Sequence, residues 1–230
     1  MIWGPTFTGL GYATGISVFW ILARKRGLRG DHTLVLAVTA FVCGTLGAKV
    51  TQALVQGSPA SALDPSVGGR ALLGGLVAGW IGFEVAKAKL GLRSSLADAV
   101  APALAAGEAV GRIGCHFNTC CYGTAFEGPW SVRQHGLDRH PAQFYSALFA
   151  AVLFVALTAI RRSALYPGAT FHAYLALWGA GRFGLEFFRE RDAVIGTLGT
   201  MQLASLETAV AGTAILAYHH LRRRTVGQVD

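Results

Sequence analysis

The sequence predicts an all-α fold: a polytopic membrane protein of seven transmembrane helices, with the N-terminus outside and the C-terminus cytoplasmic. Three observations carry this. Of the 230 residues, 53% are hydrophobic and only 14% are charged, whereas soluble domains carry about 25% charge. Apolar windows long enough to cross a bilayer, roughly 17 to 25 residues, occur seven times. The dense basic clusters all follow odd-numbered windows, and the positive-inside rule makes that side cytoplasmic. A single transmembrane domain over 1–230, with an external loop at 122–140, accounts for the whole length.

The first window, 7–23, ends on Arg24, Lys25, Arg26 and Arg29. Trp3 and Tyr12 suit an outer interface. Only six residues precede this window and none is basic, so no cleavable signal peptide is expected. The second window is 33–56 and contains Cys43, a packing residue by its apolar surroundings. A short polar stretch, 57–68, leads outside to the third window, 69–86, which is followed by Lys87, Lys89 and Arg93. The fourth, 95–114, runs out into the external loop, where Pro129, Trp130 and His135 suggest a structured segment at the interface. The fifth, 141–160, begins on His140-Pro141, with proline at a first helical position, and ends on Arg161 and Arg162. The sixth is 168–188 and the seventh 198–219, the latter followed by Arg222, Arg223 and Arg224. Gly11 and Gly15, Gly75 and Gly79, and Gly107 and Gly111 share the four-residue spacing that lets membrane helices approach closely. Packing is the expected role of all three pairs. The net charge of +8 would suit a nucleic-acid partner, but topology and anionic lipid head groups explain it, so none is expected.

Charge inside apolar windows is expensive and marks functional sites by default. Glu108 and Arg112 stand four apart in the fourth window and can pair. Arg112 either neutralises Glu108 within the bundle or presents its planar fork to a phosphate. Trp178, Arg182, Glu186 and Arg189 form a stripe in the sixth window, in steps of four, four and three. A stripe of this kind faces the bundle interior or a wet cavity. It either binds an anionic head group together with Arg112 or only locks helices by an Arg–Glu–Arg bridge. Cys115, Cys120 and Cys121 lie at the outer interface, where disulfides persist. A small disulfide loop and a reactive thiol activated by His116 and Arg112 both remain open. Metal binding through Cys115, His116, Cys120 and Cys121 is a third reading, but the gap of four residues followed by adjacent cysteines is not a standard zinc spacing, so no metal is expected, and no cofactor. His140 at the outer interface is a structural residue or a general base, and Gln143 stands one turn further in.

Taken in order, these segments resemble the prolipoprotein diacylglyceryl transferase family. Gly111-Arg112-Ile113-Gly114, followed by Asn118 and Gly123, is similar to the family signature GRxGNFxNxExxG. His140-Pro141-Ala142-Gln143-Phe144-Tyr145 resembles HPSQLY, and the run from Arg182 to Arg189, ending at Asp192, resembles RxxxEFFRxPD. Gly74-Gly75 and Met201-Gln202 resemble the third-helix SFHGG and the MGQ that opens the last helix. The resemblance implies seven helices in the bacterial cytoplasmic (inner) membrane. It implies transfer of a diacylglyceryl group from phosphatidylglycerol, or another anionic phospholipid, to the lipobox cysteine of a preprolipoprotein, with release of glycerol phosphate. Arg112, Arg182 and His140 would then be catalytic, and Cys120 with them by its departure from the signature Glu. Gly114, Cys115, His116, Asn118, Gln143, Glu186 and Arg189 would bind substrate.

Departures accompany the match. Cys115 stands where the signature has Asn and Cys120 where it has Glu. Leu73, Ser146 and Trp178 replace a His, a Glu and a Tyr, and Lys49 replaces an Arg. The head-group arginines are kept and their polar partners changed, which implies a retained phospholipid site and an altered acceptor side. Three alternatives stand beside this reading: a paralogue with another acceptor using Cys120 or Cys121, a non-catalytic lipid-binding protein, and a redox protein using the exposed cysteines.

Overall fold

The computed structural model describes residues 2–55, 72–92, 95–162, 166–190, 196 and 198–226. The polar stretch 57–68, Arg93 and Asp192 lie outside the described residues, as does the side chain of Leu73. Seven α-helices follow one another among the described residues. They are α1 (Trp3–Arg24), α2 (Gly30–Val55), α3 (Leu72–Lys89), α4 (Ala97–Phe117), α5 (Ala142–Arg162), α6 (Ala169–Leu185) and α7 (Thr200–Val226). They coincide with the seven apolar windows. Three of them, α1, α2 through Leu54, and α5, are long and apolar enough to cross a membrane on length and composition alone. Of the others, α4 carries Asp98, Glu108 and Arg112, α3 carries Glu84, Lys87 and Lys89, and α6 has only 17 residues.

The chain divides into two compact units, one of residues 1–19 and 95–230, the other of residues 20–94. In the smaller unit α2 and α3 lie against each other through small residues. A Cβ at Gly79 would stand 3.1 Å from the Ala40 carbonyl and 3.4 Å from the Gly44 Cα, and one at Gly75 would meet the Gly44 carbonyl at 3.0 Å. The backbones touch because nothing projects between them. The outer faces are apolar, with Leu34, Val38, Val42, Leu46 and Val50 of α2 and Val77, Trp80 and Ile81 of α3 exposed. Apolar exposure on this scale fits a lipid solvent.

The larger unit is built on α4, α5, α6 and α7 with the first part of α1. Gly11 and Gly15 of α1 meet Gly107 of α4, where a Cβ would lie 3.0 Å from the Gly11 carbonyl and 3.4 Å from the Gly15 Cα. Two of the three glycine pairs are thus the two sides of one crossing. The α4–α5–α6 core holds Ala101, Ala105, Leu153, Leu157 and Ala173. Asp98 of α4 is buried, and its two oxygens accept the backbone N–H groups of Gly168 and Thr170, each at 2.9 Å. It caps the start of α6 from 70 residues away, satisfying donors that a helix N-terminus leaves open. Ten residues on along both helices, the Trp178 indole N–H donates to Glu108 at 2.8 Å. The equal steps show that α4 and α6 run parallel, so their C-terminal ends share one end of the unit.

An addition to the all-α expectation lies in the loop 122–140. There β1 (Val132–Gln134) and β2 (Leu137–Arg139) pair antiparallel. The turn residues His135 and Gly136 have φ of +51° and +80°, the left-handed pair that matches hairpin twist.

Candidate functional site

The C-terminal ends of α4 and α6 meet through their loops. A 3₁₀ turn, Glu186–Phe188, extends α6. Beyond it Thr124 N–H donates to the Phe188 carbonyl at 3.1 Å and Glu190 N–H to the Tyr122 carbonyl at 3.2 Å, with Gly123 bridged to Arg189. This pairing places Arg189 beside Cys121. Gly123 is required by close approach, since a Cβ there would overlap the His140 carbonyl.

Three arginines stand at this end. Arg112 donates from Nε and Nη2 to Glu108 Oε1 at 3.0 and 2.7 Å, while Glu108 Oε2 accepts from Trp178. Both carboxylate oxygens are therefore used in fixing Arg112. Arg182 Nη2 pairs with Glu186 Oε2 at 2.7 Å, and the two side chains are only 4% and 5% exposed. Arg189 Nη1 reaches the same Glu186 oxygen at 2.9 Å. The Nε and Nη1 of Arg182 and the Nε of Arg189 are buried with no hydrogen-bond partner among the described residues. Buried donors left open are costly. Arg112 and Arg189 are near enough to Arg182 for their charges to oppose it. Three guanidinium groups against the Glu108 and Glu186 carboxylates leave an excess of positive charge.

The cysteines form a second group. At the end of α4, Thr119 N–H donates to the His116 carbonyl and Cys120 N–H to the Cys115 carbonyl, at 3.0 and 3.1 Å. This is a Schellman cap, with Thr119 at φ +51° in the left-handed position usually given to glycine. Cys121 is also left-handed, at φ +56°. The two turns fold Cys120 and Cys121 back on Cys115, so that the three Sγ atoms lie within 4.8 Å of one another. All three thiols are free. Gln143 of α5 donates to the Cys120 carbonyl at 2.9 Å and to Gln134 Oε1 at 3.0 Å, tying the cysteine loop to the hairpin. Hydrogen bonds from Cys115 and Cys120, then the nearby Arg189 and Arg112, draw the Cys121 thiol below its ordinary range. Cys120, whose thiol donates to the Cys115 carbonyl at 3.6 Å, is pushed above it by the neighbouring Cys115 and Cys121 thiols.

Other expected site residues fall elsewhere. Gly114 is a packing position, where a Cβ would stand 2.9 Å from the Gly4 carbonyl. Asn118 is the exposed C-cap of α4, with its amide against Gly4. The His116 ring turns to Gln134 at 3.3 Å and lies outside the thiol cluster. With Trp3, Phe117, Thr119 and Arg133 it lines a small cavity of about 250 Å³. His140 is stacked on Phe126, centroids 4.0 Å apart, with its Nδ1 3.3 Å from the Tyr145 hydroxyl. Ser146, at a departure from the signature, is buried and donates to its own helix at Ala142, 2.8 Å away.

Two residues were missed by sequence reasoning. Arg139 is buried and donates from Nη1 to the Gly123 carbonyl and Glu190, at 2.8 and 2.7 Å, with Tyr122 under its guanidinium. Gln134 links His116 to Gln143. Arg139 had one signal, its place directly before His140-Pro141, while Gln134 had none.

The family model for prolipoprotein diacylglyceryl transferase matches residues 6–218, and the chain belongs to that family. It is 34% identical over 207 residues to the phosphatidylglycerol–prolipoprotein diacylglyceryl transferase of Geobacter sulfurreducens, covering 83% of this chain and 80% of the relative. The relative of the same name from Clostridium tetani is 28% identical over 216 residues, covering 88% and 86%. That from Clostridioides difficile is 25% identical over 236 residues, covering 100% and 94%.

Proposed function

We propose that this member of the prolipoprotein diacylglyceryl transferase family moves the diacylglyceryl group of phosphatidylglycerol to a thiol, the lipobox cysteine of a preprolipoprotein. The site of the reaction is the outer half of a bacterial cytoplasmic membrane. All seven helices are spans in this reading, with the N-terminus outside, so the parallel α4 and α6 carry Arg112 and Arg182 to the same outer face. The observation that supports it most is Arg182, buried beside two further arginines with two nitrogens lacking a partner. A phosphate diester supplies two acceptor oxygens of the right charge and spacing for a guanidinium.

The acceptor's thiolate sulfur attacks the glycerol methylene carbon that bears the phosphate ester. A C–S bond forms, the C–O bond breaks, and the electron pair leaves on the oxygen of glycerol phosphate. The thiol proton goes to a base or to water. Negative charge grows on the departing phosphate, and donors fixed beforehand stabilise it without reorganising. Arg182 and Arg112 are those donors. Glu186 orients Arg182 and Arg189, and Glu108 with Trp178 orients Arg112. Gln143 positions the loop of Cys120. His140, its Nδ1 occupied by Tyr145, offers Nε2 for proton transfer at the rim, where Asn118 and His116 contact substrate.

The test is a turnover assay with isotope-labelled phosphatidylglycerol and a lipobox peptide, followed by mass spectrometry. The expected products are a thioether-linked diacylglyceryl peptide and an equal amount of glycerol phosphate, both lost in Arg182→Ala. Glycerol phosphate without the peptide adduct identifies another acceptor. Phospholipid binding by folded protein with neither product replaces this reading with the lipid-binding one.

A further inference from the structure

The displacement requires the attacking sulfur as a thiolate, next to the arginines, and three thiols of the chain already stand there. We propose that Cys115, Cys120 and Cys121 form a three-thiolate site for a zinc-class d¹⁰ cation, and that the acceptor's sulfur takes the fourth position. The second half rests on the transferase reading above.

The geometry is that of a site rather than of scattered cysteines. The three Sγ atoms lie within 4.8 Å of one another. Tetrahedral zinc with bonds of about 2.3 Å separates its sulfurs by roughly 3.8 Å, so closure needs a contraction of about 1 Å at most. The ligand loop is held at both sides: the Cys120 N–H is bonded to the Cys115 carbonyl, and the Cys120 carbonyl accepts from Gln143. Thr119 and Cys121 adopt left-handed backbone that ordinary side chains avoid, and that conformation is what turns the sulfurs inward.

Charge agrees. Three thiolates on a divalent ion carry one net negative charge. Both Arg189 and Arg112 act electrostatically on Cys121. Thiolates select soft or borderline ions. Among the described residues no histidine, acid or fourth cysteine joins the cluster. Three protein ligands with one position open is the arrangement of catalytic zinc, whereas structural zinc has four. A thiol that binds such an ion loses its proton outright. The proton is released to solvent, the sulfur keeps a lone pair, and that pair forms the C–S bond as the C–O bond to phosphate breaks. The cation is unchanged in oxidation state.

The experiment uses the full-length protein, reduced, in lipid nanodiscs. Zinc content is measured by mass spectrometry, zinc affinity by chelator competition, and the sulfur-to-metal charge-transfer band after loading with Cd(II). One zinc per chain and a near-ultraviolet Cd(II)–thiolate band are expected. Cys115→Ser, Cys120→Ser and Cys121→Ser should each weaken zinc binding by at least about 100-fold, with Cys43→Ser unchanged. A lipobox peptide should strengthen the Cd(II) band, and the same peptide with serine for cysteine should not. Absence of stoichiometric zinc in the reduced wild type, or unchanged affinity in folded Cys121→Ser, overturns the site. Binding of Cu(I) alone, or a band indifferent to peptide, overturns the open position. Zinc binding without a thioether product leaves the site standing and removes the transferase reading. A thioether product at full rate in zinc-free protein does the reverse.

Discussion

At one end of the α4–α6 pair, Asp98 is 1% exposed and both its oxygens accept backbone N–H groups of the neighbouring helix. At the other, Arg182 is 3% exposed, and two of its nitrogens have no partner although Glu186 holds the third. Both are buried charges in one bundle, on the same pair of parallel helices. The first is closed by the fold, and its work is to join α4 to α6. The second is open, and folding by itself leaves it short of hydrogen bonds. The difference separates a structural charge from a binding one more sharply than burial does, because a desolvated donor persists only where something else compensates it.

If Arg182 is the binding charge and Asp98 the structural one, turnover separates them most. Arg182→Ala should lower diacylglyceryl transfer by about 10²–10³-fold, the loss typical of one fixed donor to developing charge. Its thermal unfolding in nanodiscs should change little, since the deletion removes unsatisfied donors. A variant that unfolds while its surviving fraction works normally would make Arg182 structural. Asp98→Ala should behave in the opposite sense. It strands two backbone donors and should destabilise by about 2–5 kcal/mol, read as a lower unfolding midpoint, with activity per folded molecule retained.

Glu108→Gln tests the same distinction on the Arg112 side. The amide keeps an acceptor for Trp178 but loses the charge that fixes the guanidinium, so a rise of about 10-fold in KM for phosphatidylglycerol is expected, equal to about 1.4 kcal/mol. An unchanged KM would mean that Arg112 is held without Glu108. The smallest expected effect is at the helix cap. Thr119→Gly places the residue suited to a left-handed C-cap where a β-branched one now stands, and should stabilise by about 1 kcal/mol. Destabilisation would show that the threonine side chain makes a contact worth more than its strain.

The seven helices were legible in the sequence because apolar runs, basic clusters and turn residues are local signals. Arg112, Arg182, Glu186 and Arg189 were legible for the same reason, since charge in an apolar window stands out at any register. The surroundings of Gly114, at a helix crossing, and of His116, against Gln134, were not legible. A glycine needed for a helix crossing and one needed beside a substrate look alike in one dimension, and a histidine's rotamer is set by neighbours such as Gln134. The hairpin in the loop 122–140 was not foreseen, because its turn uses His135-Gly136 in place of the usual Asn-Gly or Asp-Gly.

Composition and periodicity act along the chain, and they account for the solvent, the helices and the charges buried among them. Which of those charges are satisfied depends on how the helices pack. The parallel course of α4 and α6 sets Asp98 against an open helix start and leaves Arg182 facing no carboxylate beyond Glu186 among the hydrogen bonds and ion pairs of the described residues. Packing also brings three cysteines, whose spacing is not a standard zinc one, within 4.8 Å of one another. Two left-handed residues and a glutamine from another helix bring them together, and neither leaves a periodic trace in the chain.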